Sequence, residues 1–289
     1  MRRVLVTGAA GRIGRVVLDL LAARGTSVGA LVLEDPGDLA ADLVVEGDAT
    51  DPKAVRAALA GADAVIHLAA IPTPERLPAE QVFAVNTQST FTVLEQAGLA
   101  GVRRACLASS QAAIGLPFAA RELHPAYVPV DEELPGQAED PYALSKLADE
   151  LTARMMARRH GMSVVALRLP YVGGVDERLG RFAAQCAADP GLHARGLWAY
   201  LDTRDAARAC LLALEVPGPG AHVVNVAAPE SLVPQPTEEL LRRYHPEAEV
   251  RSPLPGRTVP VDLSAATSLL GFTAEHLLPI EPLGVRASG

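Results

Sequence analysis

Val4-Leu5-Val6-Thr7-Gly8-Ala9-Ala10-Gly11-Arg12-Ile13-Gly14 is the stretch on which the fold turns. The apolar run Val4 to Thr7 reads as a buried strand, and Arg12 to Arg24 as a helix. Between them lie glycines at the spacing GxxGxxG. In such a strand–turn–helix the first glycine permits the tight turn, the second lets backbone approach a pyrophosphate, and the third lets helix close on strand. The free N–H groups and positive end of the helix then meet the phosphates. Gly8, Gly11, Arg12, Ile13 and Gly14 are therefore expected to hold a dinucleotide.

The chain continues in the same rhythm. Val28 to Leu33, Leu43 to Val45, Ala64 to Leu68, Arg104 to Ser109 and Val164 to Leu169 read as strands. Helices are expected from Asp51-Pro52 through Leu59, from Ala79 to Leu99, and from Asp140-Pro141 to about His160. In two of these an aspartate cap precedes proline at the first helical position. Strands alternating with helices imply right-handed crossovers and a parallel sheet covered on both faces, a doubly wound α/β fold. After Pro170 proline and glycine thicken, as in Pro217-Gly218-Pro219-Gly220. A dinucleotide-binding domain over 1–169 is expected, then a small substrate lobe over 170–289, with a segment near 222–226 returning to the sheet. Further helices are expected near Thr203–Leu214, Thr237–Tyr244 and Leu263–Leu270.

The second strand ends Val32-Leu33-Glu34-Asp35, and no Arg or Lys occurs between Arg24 and Lys53. A carboxylate there, with Glu34 the candidate, suits the ribose hydroxyls of NAD, whereas NADP calls for arginine near its 2′-phosphate. NAD is expected ahead of NADP, with Arg12 the one residue of the glycine loop able to meet a phosphate. Asp48, in Gly47-Asp48-Ala49, is a short acceptor suited to the adenine amino group.

The reaction centre is read from Tyr142-Ala143-Leu144-Ser145-Lys146, in the first turns of a capped helix. Residues i and i+4 share a face, so phenol and ammonium project together. Hydride transfer at a carbinol carbon also moves the hydroxyl proton. A tyrosine does that work when its pKa falls from about 10 toward neutrality, and a nearby ammonium favours the phenolate. The chain has 24 arginines and only two lysines, Lys53 and Lys146, which singles out Lys146. Open α/β sheets bind ligands at the C-terminal ends of their strands. Ala108-Ser109-Ser110-Gln111 ends the fifth strand, and Ser110, five residues before Gly115, is the candidate donor to the substrate oxygen.

Bulk composition narrows the partners. The net charge of -8, with 49% hydrophobic and 21% charged residues, fits a globular enzyme and argues against a nucleic-acid surface or anionic lipid. Cys106, Cys186 and Cys210 form no CxxC or Cys/His cluster, so no metal is expected and reduced thiols in a cytoplasm are. The first apolar run is too short for a secretion signal, and no run approaches the ~20 residues of a membrane span.

Taken together the motifs resemble the extended short-chain dehydrogenase/reductase family, the NAD-dependent epimerase/dehydratase group. The matching pieces are Gly8 to Gly14, Asp48-Ala49, His67-Leu68-Ala69-Ala70, Asn86, Ser109-Ser110 with Gly115, Tyr142 to Lys146, and Leu167-Arg168-Leu169-Pro170. Tyr200 to Ala207, Val224-Asn225-Val226 and Val261 to Phe272 look like its late segments. The resemblance implies a Rossmann domain with a small C-terminal lobe, often a homodimer through two long helices. It also implies cofactor contacts from Ala49, Leu68, Ala69, Ala70, Asn86, Ala108 and Pro170, besides Tyr142 and Lys146.

Gln111-Ala112 stands where family dehydratases carry Asp-Glu, which disfavours water elimination. Trp198 stands where nucleotide-sugar epimerases place an arginine. A partial similarity to uronate dehydrogenases would make Arg195 a carboxylate clamp, although Pro72 and Tyr171 replace two of that group's serines and Gln111 its asparagine. Substrate contacts are expected from Thr73, Ser110, Gln111, Tyr171, Arg195 and Trp198. The resulting expectation is an oxidoreductase or epimerase working on a secondary alcohol of a sugar, sugar acid or nucleotide sugar. The alternative is a non-catalytic dinucleotide sensor on the same fold.

Overall fold

The structure is a computed structural model that describes residues 1–281. The end of the expected C-terminal lobe, 282–289, lies outside the described residues. Strand β1 (Arg3–Thr7) leads into α1 (Arg12–Ala23), followed by β2 (Ser27–Val32), β3 (Leu43–Glu46), α2 (Pro52–Ala58), β4 (Ala64–His67), α3 (Ala79–Leu99) and β5 (Arg104–Ser110). A short strand β6 (Tyr127–Val128) precedes α4 (Pro141–His160) and β7 (Ser163–Leu169). The rest comprises β8 (Tyr171–Gly173), α5 (Gly180–Ala188), β9 (Tyr200–Asp202), α6 (Thr203–Ala213), β10 (Gly220–Asn225), α7 (Thr237–Tyr244), β11 (Glu249–Val250) and α8 (Ser264–Leu270).

Seven strands form one parallel sheet in the order β10-β7-β5-β4-β1-β2-β3. The chain builds outward from β1 in one direction, returns, and builds outward again from β4. The crevice where that order reverses lies between β1 and β4, and the glycine loop opens into it. Successive side chains of a strand face opposite layers. Thus Val4 and Val6 join the core beneath α1 and α6, while Leu5 joins the core beneath α2, α3 and α4.

Helix α4 shows why its residues stay fixed. Asp140 Oδ1 accepts the Ala143 N–H at 2.8 Å, Pro141 takes the first helical position, and Gly161 ends the helix with φ 64°. Arg158, Arg159 and His160 occupy its last turn. Two short parallel pairs, β8 with β9 and β6 with β11, fasten the segments after β7 and the loop before α4 to one another. Among the described residues no helix is long and apolar enough to cross a membrane.

Candidate active site

A cleft of about 900 Å³ runs from the glycine loop, past the ends of β4, β5 and β7, to the segment 171–196. Its floor is bare backbone for a structural reason. Gly8 has φ +66°, and a Cβ on it would lie 2.8 Å from the Ala69 nitrogen. A Cβ on Gly14 would lie 2.7 Å from the Ala9 carbonyl oxygen. Helix α1 starts after Gly11 with no side-chain cap, so its first N–H groups remain available to an anion in the cleft.

Strand β5 and helix α4 bring together the residues expected at the reaction centre. Lys146 Nζ donates to the Ala108 carbonyl at 3.0 Å and to Asp149 Oδ2 at 3.2 Å, and lies 5.8 Å from the centroid of the Tyr142 ring. Both side chains are buried, yet both line the cleft. Phe118 meets the Tyr142 ring edge-on at 5.8 Å between centroids. Burial pushes the Lys146 ammonium down, but Asp149, Tyr142 and Glu150 more than offset this and hold it above the usual lysine value.

The neighbouring serines divide the work. Ser109 Oγ donates at 2.7 Å to Glu150 Oε1, and Glu150 also receives Arg168 Nε and Nη2, each at 2.9 Å. Ser109 is thereby committed to a buried network. Ser110 Oγ accepts the Ala112 N–H at 3.1 Å, which leaves its proton for a ligand in the cleft. Gln111 is buried beside it, with Nε2 unpartnered among the described residues.

Several expected contacts have other tasks. Asn86 does not line the cleft: it donates to Ile71 O at 3.1 Å and Ser145 Oγ at 3.0 Å, and accepts the Ile71 N–H at 2.8 Å. It fastens the 70s loop to α4. Trp198 is fully buried, with Nε1 donating to Pro190 O at 2.8 Å, at a turn where Leu197 and Trp198 both have positive φ. Trp198 thus lies outside the lining of the cleft, in contrast to the substrate contact expected of it. Arg195 lines the cleft, but its Nη1 donates to Ala119 O at 2.6 Å. Glu34 is exposed beyond β2, Asp48 Oδ1 closes a turn onto the Thr50 N–H at 2.8 Å, Ala49 is buried in the core, and Ala69 is half-buried against it. These four lie outside the lining of the cleft, whereas Leu68, Ala70, Thr73, Ala108, Pro170 and Tyr171 are part of it.

Sequence reading missed part of the wall. Arg178 stacks on the Tyr171 ring, 4.0 Å from its centroid, and donates to Tyr171 Oη at 2.8 Å. Tyr171 stacks in turn on Phe182, and His193 meets both rings edge-on. Arg76, Pro117, Phe118 and Leu192 also line the cleft. The signal available for Arg178 was only its place seven residues after Tyr171, which carries no periodic pattern.

A model of the NAD dependent epimerase/dehydratase family matches residues 4–227. The chain belongs to this family. It is 33% identical over 182 residues to an L-arabinose 1-dehydrogenase (NAD(P)(+)) of Haloferax volcanii, covering 61% of this chain and 70% of that protein. It is 32% identical over 170 residues to a uronate dehydrogenase of Agrobacterium fabrum, covering 58% of this chain and 61% of the relative. A short-chain dehydrogenase/reductase superfamily protein from Agrobacterium tumefaciens, solved with bound NAD, superposes with a TM-score of 0.70 at 28% identity, over 95% of this chain and 93% of the other.

The residues present fit the family's cofactor. The uncapped α1 N-terminus suits a pyrophosphate, and Lys146 stands beside the reaction centre with one ammonium proton beyond its two bonds. Arg15, which reaches the turn after β2, is forked on Asp38 at 3.1 and 2.9 Å. Arg12 Nε is shared between both oxygens of Glu177 at 2.7 and 2.9 Å. Both arginines thus already have carboxylate partners, an arrangement that suits NAD.

Proposed function

We propose that the protein is an NAD-dependent oxidoreductase or epimerase that acts at a secondary alcohol of an acidic sugar derivative. The acidic part of this reading is carried by one observation. Arg12, Arg76, Lys146, Arg178 and Arg195 line the cleft, and no aspartate or glutamate does among the described residues, in a chain of net charge -8. Arg76, Arg178 and Arg195 form no ion pair among the described residues. Arg178, aligned by the Tyr171 ring, takes the part that the sequence suggested for Arg195. Its guanidinium fork suits a carboxylate or phosphate. The segments after residue 169 form a lobe over the substrate. Two copies pair through α3 and α4, in the cytoplasm.

When bound, NAD supplies the hydride acceptor. Tyr142 takes the hydroxyl proton as the carbinol carbon is oxidised and returns it in the reverse direction. Ser110 donates to the substrate oxygen and holds it beside the phenol. Lys146 stabilises the phenolate and anchors the adjoining ribose. The ring of Phe118 and the stack of Tyr171 on Phe182 wall the site with apolar surface, which strengthens the charge interactions inside it.

The test is a panel of neutral sugars, uronic acids, sugar phosphates and nucleotide sugars with NAD and NADP in parallel. Acidic members should be turned over with NAD. Arg178→Ala should raise their KM about 10–100-fold, since a hydrogen bond to a charged group contributes about 1.5–3 kcal/mol. Neutral sugars turned over by the wild type as well as acidic ones, or an unchanged KM for acidic members in Arg178→Ala, would sink the acidic assignment. NAD binding without reaction on any alcohol would favour the non-catalytic sensor.

A further inference from the structure

Lys146 is immersed in a dry environment and still has to carry a charge. Its side chain is 4% exposed and that of Asp149, one turn further along α4, is 3% exposed. Glu150 lies close as well, but its carboxylate is taken by both arms of Arg168 and by the Ser109 hydroxyl. From β4, His67 faces the lysine. Its Nδ1 pairs with Thr7 Oγ1 at 2.7 Å, and burial first, then the charge of Lys146, hold it neutral with its pKa lowered to about 3. From β5 comes only the Ala108 carbonyl, and Tyr142 completes the surroundings. Among these groups Asp149 is the one anion that is not already neutralised by an arginine. Burial holds its carboxyl above the usual value and Lys146 opposes this; Oδ2 receives Lys146 Nζ at 3.2 Å, and Oδ1 is buried with no partner among the described residues. At 3.2 Å from Asp149 Oδ2, the Lys146 ammonium is held above its usual value, against the pull of burial, first by that neighbour's charge.

We infer that Asp149 is a positioning residue of the reaction: its buried carboxylate keeps Lys146 charged and aimed at the Ala108 carbonyl, so that Tyr142 always faces a cation. The inference rests on the reading of Tyr142 and Lys146 as the proton-transfer pair. It goes beyond the Tyr–Ser–Lys set, because it makes the protonation state of the lysine a property of a fourth residue. Removing the partner of a buried charge leaves that charge uncompensated, and the group responds by neutralising. Without Asp149 the lysine therefore sheds its proton near neutral pH, and the phenol loses the cation that favours its ionised form.

Asp149→Asn keeps the shape and removes the charge. The pH dependence of turnover, and the appearance of the phenolate ultraviolet band in the substrate-free protein, are measured for wild type, Asp149→Asn and Tyr142→Phe. In Asp149→Asn the acid limb and the phenolate band should both move to higher pH by about one unit, a roughly tenfold loss of turnover on that limb. A limb that stays in place, or moves to lower pH because the lysine remains charged and is now unopposed, overturns the inference. If Asp149→Asn does not fold, Asp149→Ser, which also removes the charge at a smaller volume, decides in the same way: a shift of the limb to higher pH supports the inference and an unmoved limb overturns it. Tyr142→Phe separates the two layers. Normal turnover in that variant defeats the proton-transfer reading itself, whereas its inactivity beside an unmoved limb in Asp149→Asn defeats only the role of Asp149.

Discussion

Ser109 and Ser110 are adjacent in sequence and opposite in use, because successive strand residues face opposite sides of the sheet. The spacing to Gly115 selected Ser110, and the structure puts Ser109 on Glu150 instead. The same scale shows where sequence stops. Asn86 and Trp198 were read as ligand contacts from their places in family motifs, but a motif does not display the hydrogen bonds that Asn86 makes to Ile71 and Ser145, or the buried bond from Trp198 to Pro190. Tyr142 is the residue on which the proposed chemistry stands. Tyr142→Phe removes one oxygen from a buried ring that keeps its edge-on contact with Phe118. Turnover should fall by about 10²–10⁴-fold, the usual contribution of a positioned acid–base group, while the Kd for NAD measured by titration changes little. Turnover within a few fold of wild type would remove Tyr142 from the mechanism.

Elements were most legible where a proline marks the start of a helix. Ala79–Leu99 and Thr237–Tyr244 were read at their observed bounds, and Asp140-Pro141 marked the start of α4. The pairing of β8 with β9 was not legible, since three-residue strands are too short to show an alternation. Helices α3 and α4 bear on assembly as well. They pack side by side, and their outer surface exposes Phe91, Leu144 and Leu151 at 47%, 51% and 62%. Leu144 and Leu151 are seven residues apart and so share one stripe. The proposed two-fold pairing would bury the Leu144–Leu151 stripe from both copies. Leu151→Glu should convert the proposed dimer to a monomer in sedimentation velocity without loss of helical content. A wild-type protein that sediments as a monomer at micromolar concentration would refute the pairing.

At the scale of the molecule, the crevice between β1 and β4 was implied by the order of strands and helices alone. The composition of its far wall was not, because Arg76, Phe118, Arg178 and His193 come from loops and short irregular helical segments whose meeting depends on tertiary packing. One property of the whole follows from groups placed deep in that packing. Burial lowers His67 to about 3 and His193 to about 4, against 6.5 for an ordinary histidine. His245 is lowered as well, by burial first. The unfolded chain binds these protons below about pH 6.5 and the folded chain does not, so stability present above 6.5 is lost as pH falls toward 4. Each histidine contributes at most about 1.4 kcal/mol per pH unit in that window. Asp149, Glu132 and Asp140 are raised by burial and oppose the loss, because the folded chain takes up their protons before the unfolded chain does. Asp42, Asp63 and Glu95 are lowered by their hydrogen bonds and add to the loss further down. Urea midpoints should therefore already decline between pH 7 and 5, and His67→Gln should flatten that decline. A midpoint constant over this range in the wild-type protein would mean that the buried imidazoles are not held neutral.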